Sequence, residues 1–223
     1  MTKRNEPFIV GEWYHCYNHS IEKRISFENP QEYRRFLELL YLANDEFPLR
    51  RDDIGIRTFE EVLHIPRGKR LVTIGAFCLM PDHFDLVLQE IREGGITAFM
   101  RKIGTAYTLY FNARHGRVGN LFLKPFQSRH APTPRSFQHL MSYVHSNPAV
   151  LYEPQWKTNH VVDPQFLEEH LIAYPYSSLG AHTGASVPTR AILDAQALST
   201  ARMASLQKML QEARQYSADS HIP

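Results

Sequence analysis

The sequence predicts an α+β protein of the ferredoxin-like kind, an antiparallel sheet with helices on one face, followed by a helical C-terminal extension. Three observations predict it. Strand-like and helix-like periodicities follow one another as strand, helix, strand, strand, helix, strand, with a further helix after them. Two strand-like apolar runs, 70–79 and 83–91, are separated only by the Pro81-Asp82 turn, which makes them a hairpin. The chain of 223 residues is long enough for one sizeable core, or one domain with a helical appendage.

The elements follow in order. Residues 12–19 alternate and are rich in aromatics, the pattern of a strand. Asn29-Pro30 opens a helix to about Ala43, with Phe36, Leu37, Leu40 and Leu42 at helical spacing. The punctuated, charged stretch of about 46–69 reads as an insertion with a short helix near 58–63. Gly94-Gly95 breaks the chain after the hairpin. Residues 96–113 form a long helix, with Phe99, Ile103, Ala106, Tyr107 and Tyr110 on one face and His115-Gly116 at its end. A strand is expected over 121–130. Pro132 and Pro134 mark a turn, and a helix over 135–146 stops before Pro148. In that helix Phe137, Leu140, Met141 and Val144 form the core stripe, while His139, Tyr143 and Asn147 lie on another line. The domain is thus expected over 1–150 and the helical extension over 151–223, with helices at 164–172 and two more within 189–216.

Composition narrows the class. Apolar content of 43% is ordinary for a globular protein. No run has the length of a membrane span and the first residues lack an apolar signal core, so a cytoplasmic protein with no membrane partner is expected. Cys16 and Cys78 are too few and too far apart for a zinc site or a disulfide framework, and read as small core residues. The net charge of +2 hides an asymmetry. From Gly94 to Tyr152 there is no Asp or Glu, while Arg101, Lys102, Arg114, Arg117, Lys124, Arg129 and Arg135 contribute +7, leaving −5 for the rest of a chain of net charge +2. Such segregation is the electrostatic footprint of a polyanion, and these seven are the candidate DNA-binding residues. Trp13, Tyr107, Tyr110, Phe111 and Phe122 interleave with them. Aromatics of this kind stack on unpaired bases, although core packing accounts for most of them.

Two short motifs carry chemistry. In Met80-Pro81-Asp82-His83-Phe84-Asp85-Leu86-Val87-Leu88, strand alternation sends Phe84, Leu86 and Leu88 to one face and leaves His83 and Asp85 adjacent on the other. In Tyr143-Val144-His145-Ser146-Asn147-Pro148, helical spacing sets Tyr143 and Asn147 one turn apart on one face. A His/Asp/Asn ligand set of His83, Asp85 and Asn147 favours Mg²⁺ or Mn²⁺ over structural zinc. With Tyr143 as nucleophile, these are the parts for metal-assisted attack on a phosphodiester. An exposed sheet face is expected to carry His83 and Asp85. His139 and His145 flank the site as possible proton carriers.

The motifs resemble those of the single-tyrosine transposases of the His-hydrophobic-His class, particularly the REP-associated tyrosine transposases. Further similarity runs through Tyr14 to His19, Tyr33 to Leu40, Gly95 to Phe122 and Tyr174 to Leu179. The resemblance implies a metal-dependent endonuclease and strand transferase, acting on single-stranded or hairpin-forming repeat DNA through a 5′-phosphotyrosine, as a monomer or homodimer. The sequence departs from the family pattern at Asp85, where a second His is usual, at Asp82, where Asn is usual, and at Leu123-Lys124-Pro125. A DNA-binding descendant with impaired chemistry therefore stands as an alternative. An RNA-binding module on the same sheet is a third, although an aromatic-bearing sheet motif is missing.

Overall fold

The protein is described by a computed structural model covering residues 7–47, 55, 57–158, 161–200 and 203–220. The elements run β1 (Trp13–His19), α1 (Pro30–Leu42), α2 (Phe59–Val62), β2 (Val72–Met80), β3 (His83–Glu90), α3 (Gly95–His115), β4 (Gln127–Ala131), α4 (Pro134–Ser146), α5 (Ala149–Tyr152), α6 (Pro164–Ala173), α7 (Leu179–His182), α8 (Ala195–Thr200) and α9 (Leu206–Ser220). The four strands form one sheet in the order β2-β3-β1-β4, antiparallel throughout. That order is the ferredoxin-like arrangement the sequence leads one to expect. The helix of the insertion is α2, capped at both ends of the box by Thr58 and Glu61. Residues 48–54 and 56 of the insertion lie outside the described residues.

The helix starts are written locally. The Asn29 side chain accepts from the Glu32 N–H at 3.2 Å and Pro30 follows at the first helical position. Thr133 and Ser136 form a reciprocal capping box in front of α4. The fourth strand is shorter than expected, beginning at Gln127 rather than near 121. Phe122 reaches only an isolated bridge to Ser20, and Pro125 has no N–H to donate to a ladder.

Both faces of the sheet are covered. On one face, Cys16, Phe84, Leu86 and Leu88 pack with Phe36 and Leu40 of α1 and Phe99, Ile103 and Tyr107 of α3. On the other, Ala76, Cys78 and Val87 pack with Leu140, Tyr143 and Val144 of α4, Leu167 and Leu171 of α6, and Met209, Leu210 and Ala213 of α9. The second face is the one expected to be open at His83 and Asp85. Its closure follows from β2, all nine of whose residues are buried: a strand apolar on both sides needs two covers. At Gly75, beside a bulge in the β2–β3 pairing, the Trp13 ring lies so close that a methyl group would sit 2.7 Å from it.

Candidate active-site cluster on the central strands

The central strands β1 and β3 pair with His15 opposite Val87, Tyr17 opposite Asp85 and His19 opposite His83. Alternation along β1 therefore aligns His15, Tyr17 and His19 on the same face as His83 and Asp85. Their rings follow one another in a row, His15 stacked on Tyr17 at 4.6 Å, Tyr17 edge-to-face with His19 at 6.0 Å and His19 stacked on His83 at 4.8 Å.

Asp85 anchors the buried end of this row at 2% exposure. Its Oδ1 pairs with His15 Nε2 at 2.6 Å, and its Oδ2 accepts from the Asn147 amide at 2.7 Å. His83 Nε2 stands 3.5 Å from the same Oδ2. His15 Nδ1 in turn meets the Tyr216 hydroxyl of α9 at 3.1 Å. Burial pushes the Asp85 carboxyl up, but the His15 hydrogen bond and the neighbouring imidazoles of His15, His83 and His19 outweigh it and hold the group below its ordinary value.

Tyr143 is 3% exposed. Its ring lies 5.6 Å from His15 and 5.0 Å from Tyr216, so α9 roofs it. Burial, and then the Asp85 charge and Tyr216, drive its phenol far above the ordinary tyrosine value. The roof is held by a 2.6 Å hydrogen bond from the Ser142 hydroxyl to the Glu212 carboxylate, by Arg214 on the Trp156 carbonyl, and by Arg129 lying 4.7 Å over the Tyr216 ring.

At the other, wetter end of the row, His19, Asp82 and His83 bring one ligand atom each within 4.8 Å of one another. Asp82 Oδ1 and His83 Nδ1 are 2.7 Å apart. The two acid–imidazole neighbours shift oppositely. The His83 hydrogen bond lowers Asp82, whereas His83 is raised, its burial being outweighed by Asp82 and Asp85. The turn that presents them is clamped. The Ser20 N–H donates to the Asp82 carbonyl at 2.9 Å, and those of Ser26 and Phe27 donate to the Pro81 carbonyl at 2.8 and 3.1 Å.

The structure thus brings His83, Asp85, Asn147 and Tyr143 into one region, but ties Asp85 and Asn147 to each other and buries Tyr143. His145 turns away from the cluster: it is fully buried, bonds Ser178 Oγ at 2.8 Å, and is held well below its ordinary value by burial and by His182. His139 lines a polar groove between α4 and α9 with Arg135, Lys208 and Gln215. Of the seven basic residues, Arg101, Arg114, Lys124 and Arg135 are exposed and Arg117 is half-buried. Lys102 donates to the Asp45 and Phe47 carbonyls at 2.5 and 2.6 Å, and Arg129 is engaged by Tyr216. Trp13 is half-buried, and Tyr107, Phe111 and Phe122 are core residues. Sequence reasoning missed His15, Tyr17, His19 and Tyr216. The alternation of β1 carried a signal for the first three, since it sets them on one face; nothing local signals Tyr216.

Comparison with protein-family models and with curated proteins gives no match. Among solved structures the chain is similar to one described as the REP-associated tyrosine transposase bound to a REP hairpin, at 14% identity and a TM-score of 0.49, over 82% of this chain and 86% of that one. No described helix is long and apolar enough to cross a membrane.

Proposed function

We propose that the chain binds single-stranded or hairpin DNA on the plan of a single-tyrosine transposase, with its strand-cleaving centre closed in this conformation. One observation carries the binding half. Among the described residues, none of Arg101, Lys102, Arg114, Arg117, Lys124, Arg129 and Arg135 is paired with a carboxylate; the Arg and Lys ion pairs lie elsewhere, at Arg34, Arg35, Arg70, Arg92 and Lys208. Cations left without a carboxylate partner inside the fold can take the phosphates of a polyanion as their counter-charges. DNA is favoured over RNA by the motif resemblance, and because α4 and α9 cover the sheet face on which an RNA-binding module would stack bases.

The closed half rests on Asp85 and Tyr143. Each Asp85 oxygen is engaged by a neighbouring side chain, so His83, Asp85 and Asn147 do not fit a cation as they stand. Attack on a phosphodiester requires the phenol to lose its proton, and burial beside a carboxylate opposes that loss. A second reading, a working strand transferase, is favoured by one observation: Tyr143, Asp85 and His15 already lie together beneath a roof that belongs to a single helix, α9. With the roof away, the Tyr143 oxygen would bond to phosphorus, the bond to the 3′ oxygen would break, and that oxygen would take up a proton.

The test uses a labelled hairpin oligonucleotide. Fluorescence anisotropy should report salt-sensitive binding by the full chain, and a denaturing gel with Mn²⁺ should report no covalent adduct. An adduct with the full chain would replace the closed reading by the second one. Absence of binding at low salt would end both.

A further inference from the structure

We propose that the chain holds a divalent first-row cation between His19, Asp82 and His83, one step along the hairpin from the position the motif implies, with Asp85 orienting His83 instead of touching the ion. Two imidazoles and one carboxylate are a donor set that suits Mn²⁺ and its neighbours in the first row. Ligands about 2.1 Å from a shared ion stand ~3–4 Å apart, so atoms already within 4.8 Å need only small side-chain rotations to close on one. The scaffold is preorganised: His19 and His83 are register partners on the two central strands, and three backbone hydrogen bonds pin the Pro81-Asp82 turn. Access agrees, since the His83 and Asp82 side chains are 22% and 36% exposed against 2% for Asp85.

The two nitrogens of His83 explain why an aspartate can stand at 85. Nδ1 faces Asp82, and Nε2 faces Asp85 Oδ2 at 3.5 Å. A metal-ligating histidine commonly gives its second N–H to a carboxylate, which fixes the ring and makes it a better donor. Asp85, itself held by His15 and Asn147, is built for that supporting place and not for the ion. Three protein ligands leave positions open to water or to a phosphate oxygen. The Leu123 N–H bonds the His19 carbonyl at 3.0 Å, which ties the end of the strand that carries His19 to the segment before β4. What an ion would do there, polarising a bound phosphate, rests on the DNA-binding reading above; the site itself does not.

Mn²⁺ titrated into the full chain without DNA, followed by the loss of the free-ion electron paramagnetic resonance signal, tests the site. One ion should bind. Pulsed measurement of nitrogen couplings should count two coordinated imidazoles, whereas a His83–Asp85–Asn147 site would give one. His19→Ala and Asp82→Asn should each weaken binding at least tenfold, and Asn147→Ala, which acts on the ion only through Asp85, should weaken it no more than Asp85→Asn does. Asp85→Asn should weaken affinity while keeping the two-imidazole signature. A single imidazole, loss of the ion in Asn147→Ala alone, or no binding below millimolar Mn²⁺ would overturn the proposal. If a variant fails to fold, the wild-type nitrogen count decides by itself. Hairpin anisotropy with and without Mn²⁺ separates the two readings: no DNA binding under either condition, with Mn²⁺ binding intact, sinks the DNA-binding reading alone, and DNA binding without any bound Mn²⁺ sinks this site alone.

Discussion

At the scale of residues, Asp85 is held from three sides, by His15, Asn147 and His83. A buried carboxylate shared by an imidazole and an amide is costly to orphan and costly to delete. Asp85→Ala should cost about 3–5 kcal/mol, because it leaves His15 and Asn147 without their partner, and urea unfolding would measure it. A loss under 1 kcal/mol would mean that the network contributes little. The pH dependence follows from the lowered carboxyl. The unfolded chain binds that proton more readily than the folded one, so this contribution is full above the unfolded value near 3.9 and fades as pH falls through the lower folded value. Tyr143→Phe should leave DNA affinity and stability nearly unchanged, since it removes one oxygen from a buried ring, while abolishing any adduct that a working form makes. The facing of His83 and Asp85 was legible from strand alternation alone. Their partners were not: His15 is 70 residues from Asp85, and Tyr216 is 201 from His15, and separations of that size leave no trace in a local period.

At the scale of elements, α4 and α9 decide what the site can do. All of residues 140–147 are buried, although the sequence shows an apolar stripe only on one side of α4. The second side is covered by α9, whose own pattern announces a helix but not its address. Ser142 and Glu212 join them, and Ser142→Ala would leave the Glu212 carboxylate, 7% exposed, short of its closest hydrogen bond. That should cost roughly 1.5–3 kcal/mol. Thermal unfolding would check the size, and an unchanged midpoint would mean that water replaces the serine. A chain ending before Leu206 should lose stability and expose Tyr143. Nitration by tetranitromethane should then modify Tyr143, which the full chain protects; equal modification in both would show that α9 is no roof. The start of β4 teaches a related lesson. The apolar Leu121-Phe122 before it looks like strand, but a proline at 125 delays the ladder to Gln127.

For the molecule as a whole, charge is the property that reads most directly from sequence to surface. The acid-free stretch from Gly94 to Tyr152 was visible at once. The internal duties of three of its cations were not, since Lys102 donates to the Asp45 and Phe47 carbonyls, Arg117 donates to Asn112 Oδ1 and Arg129 stacks on α9. The phosphate track is therefore expected to use four cations, Arg101, Arg114, Lys124 and Arg135. With about four single-strand phosphates neutralised, the log–log salt slope should be roughly −2.8, and Lys124→Ala or Arg135→Ala should each reduce it by about 0.7. A slope near zero would remove these residues from the interface.

The roof over Tyr143 also has a history in time. A ribosome releases the chain from its N-terminus, and α9 is the last described element to emerge. At ordinary elongation rates its final turn follows Ser146 by roughly 4–15 s. During that interval the sheet and α4 can already have met, with His15 and Tyr143 still facing solvent. Synthesis thus gives each newborn molecule an interval in which the arrangement that the finished one conceals can stand open.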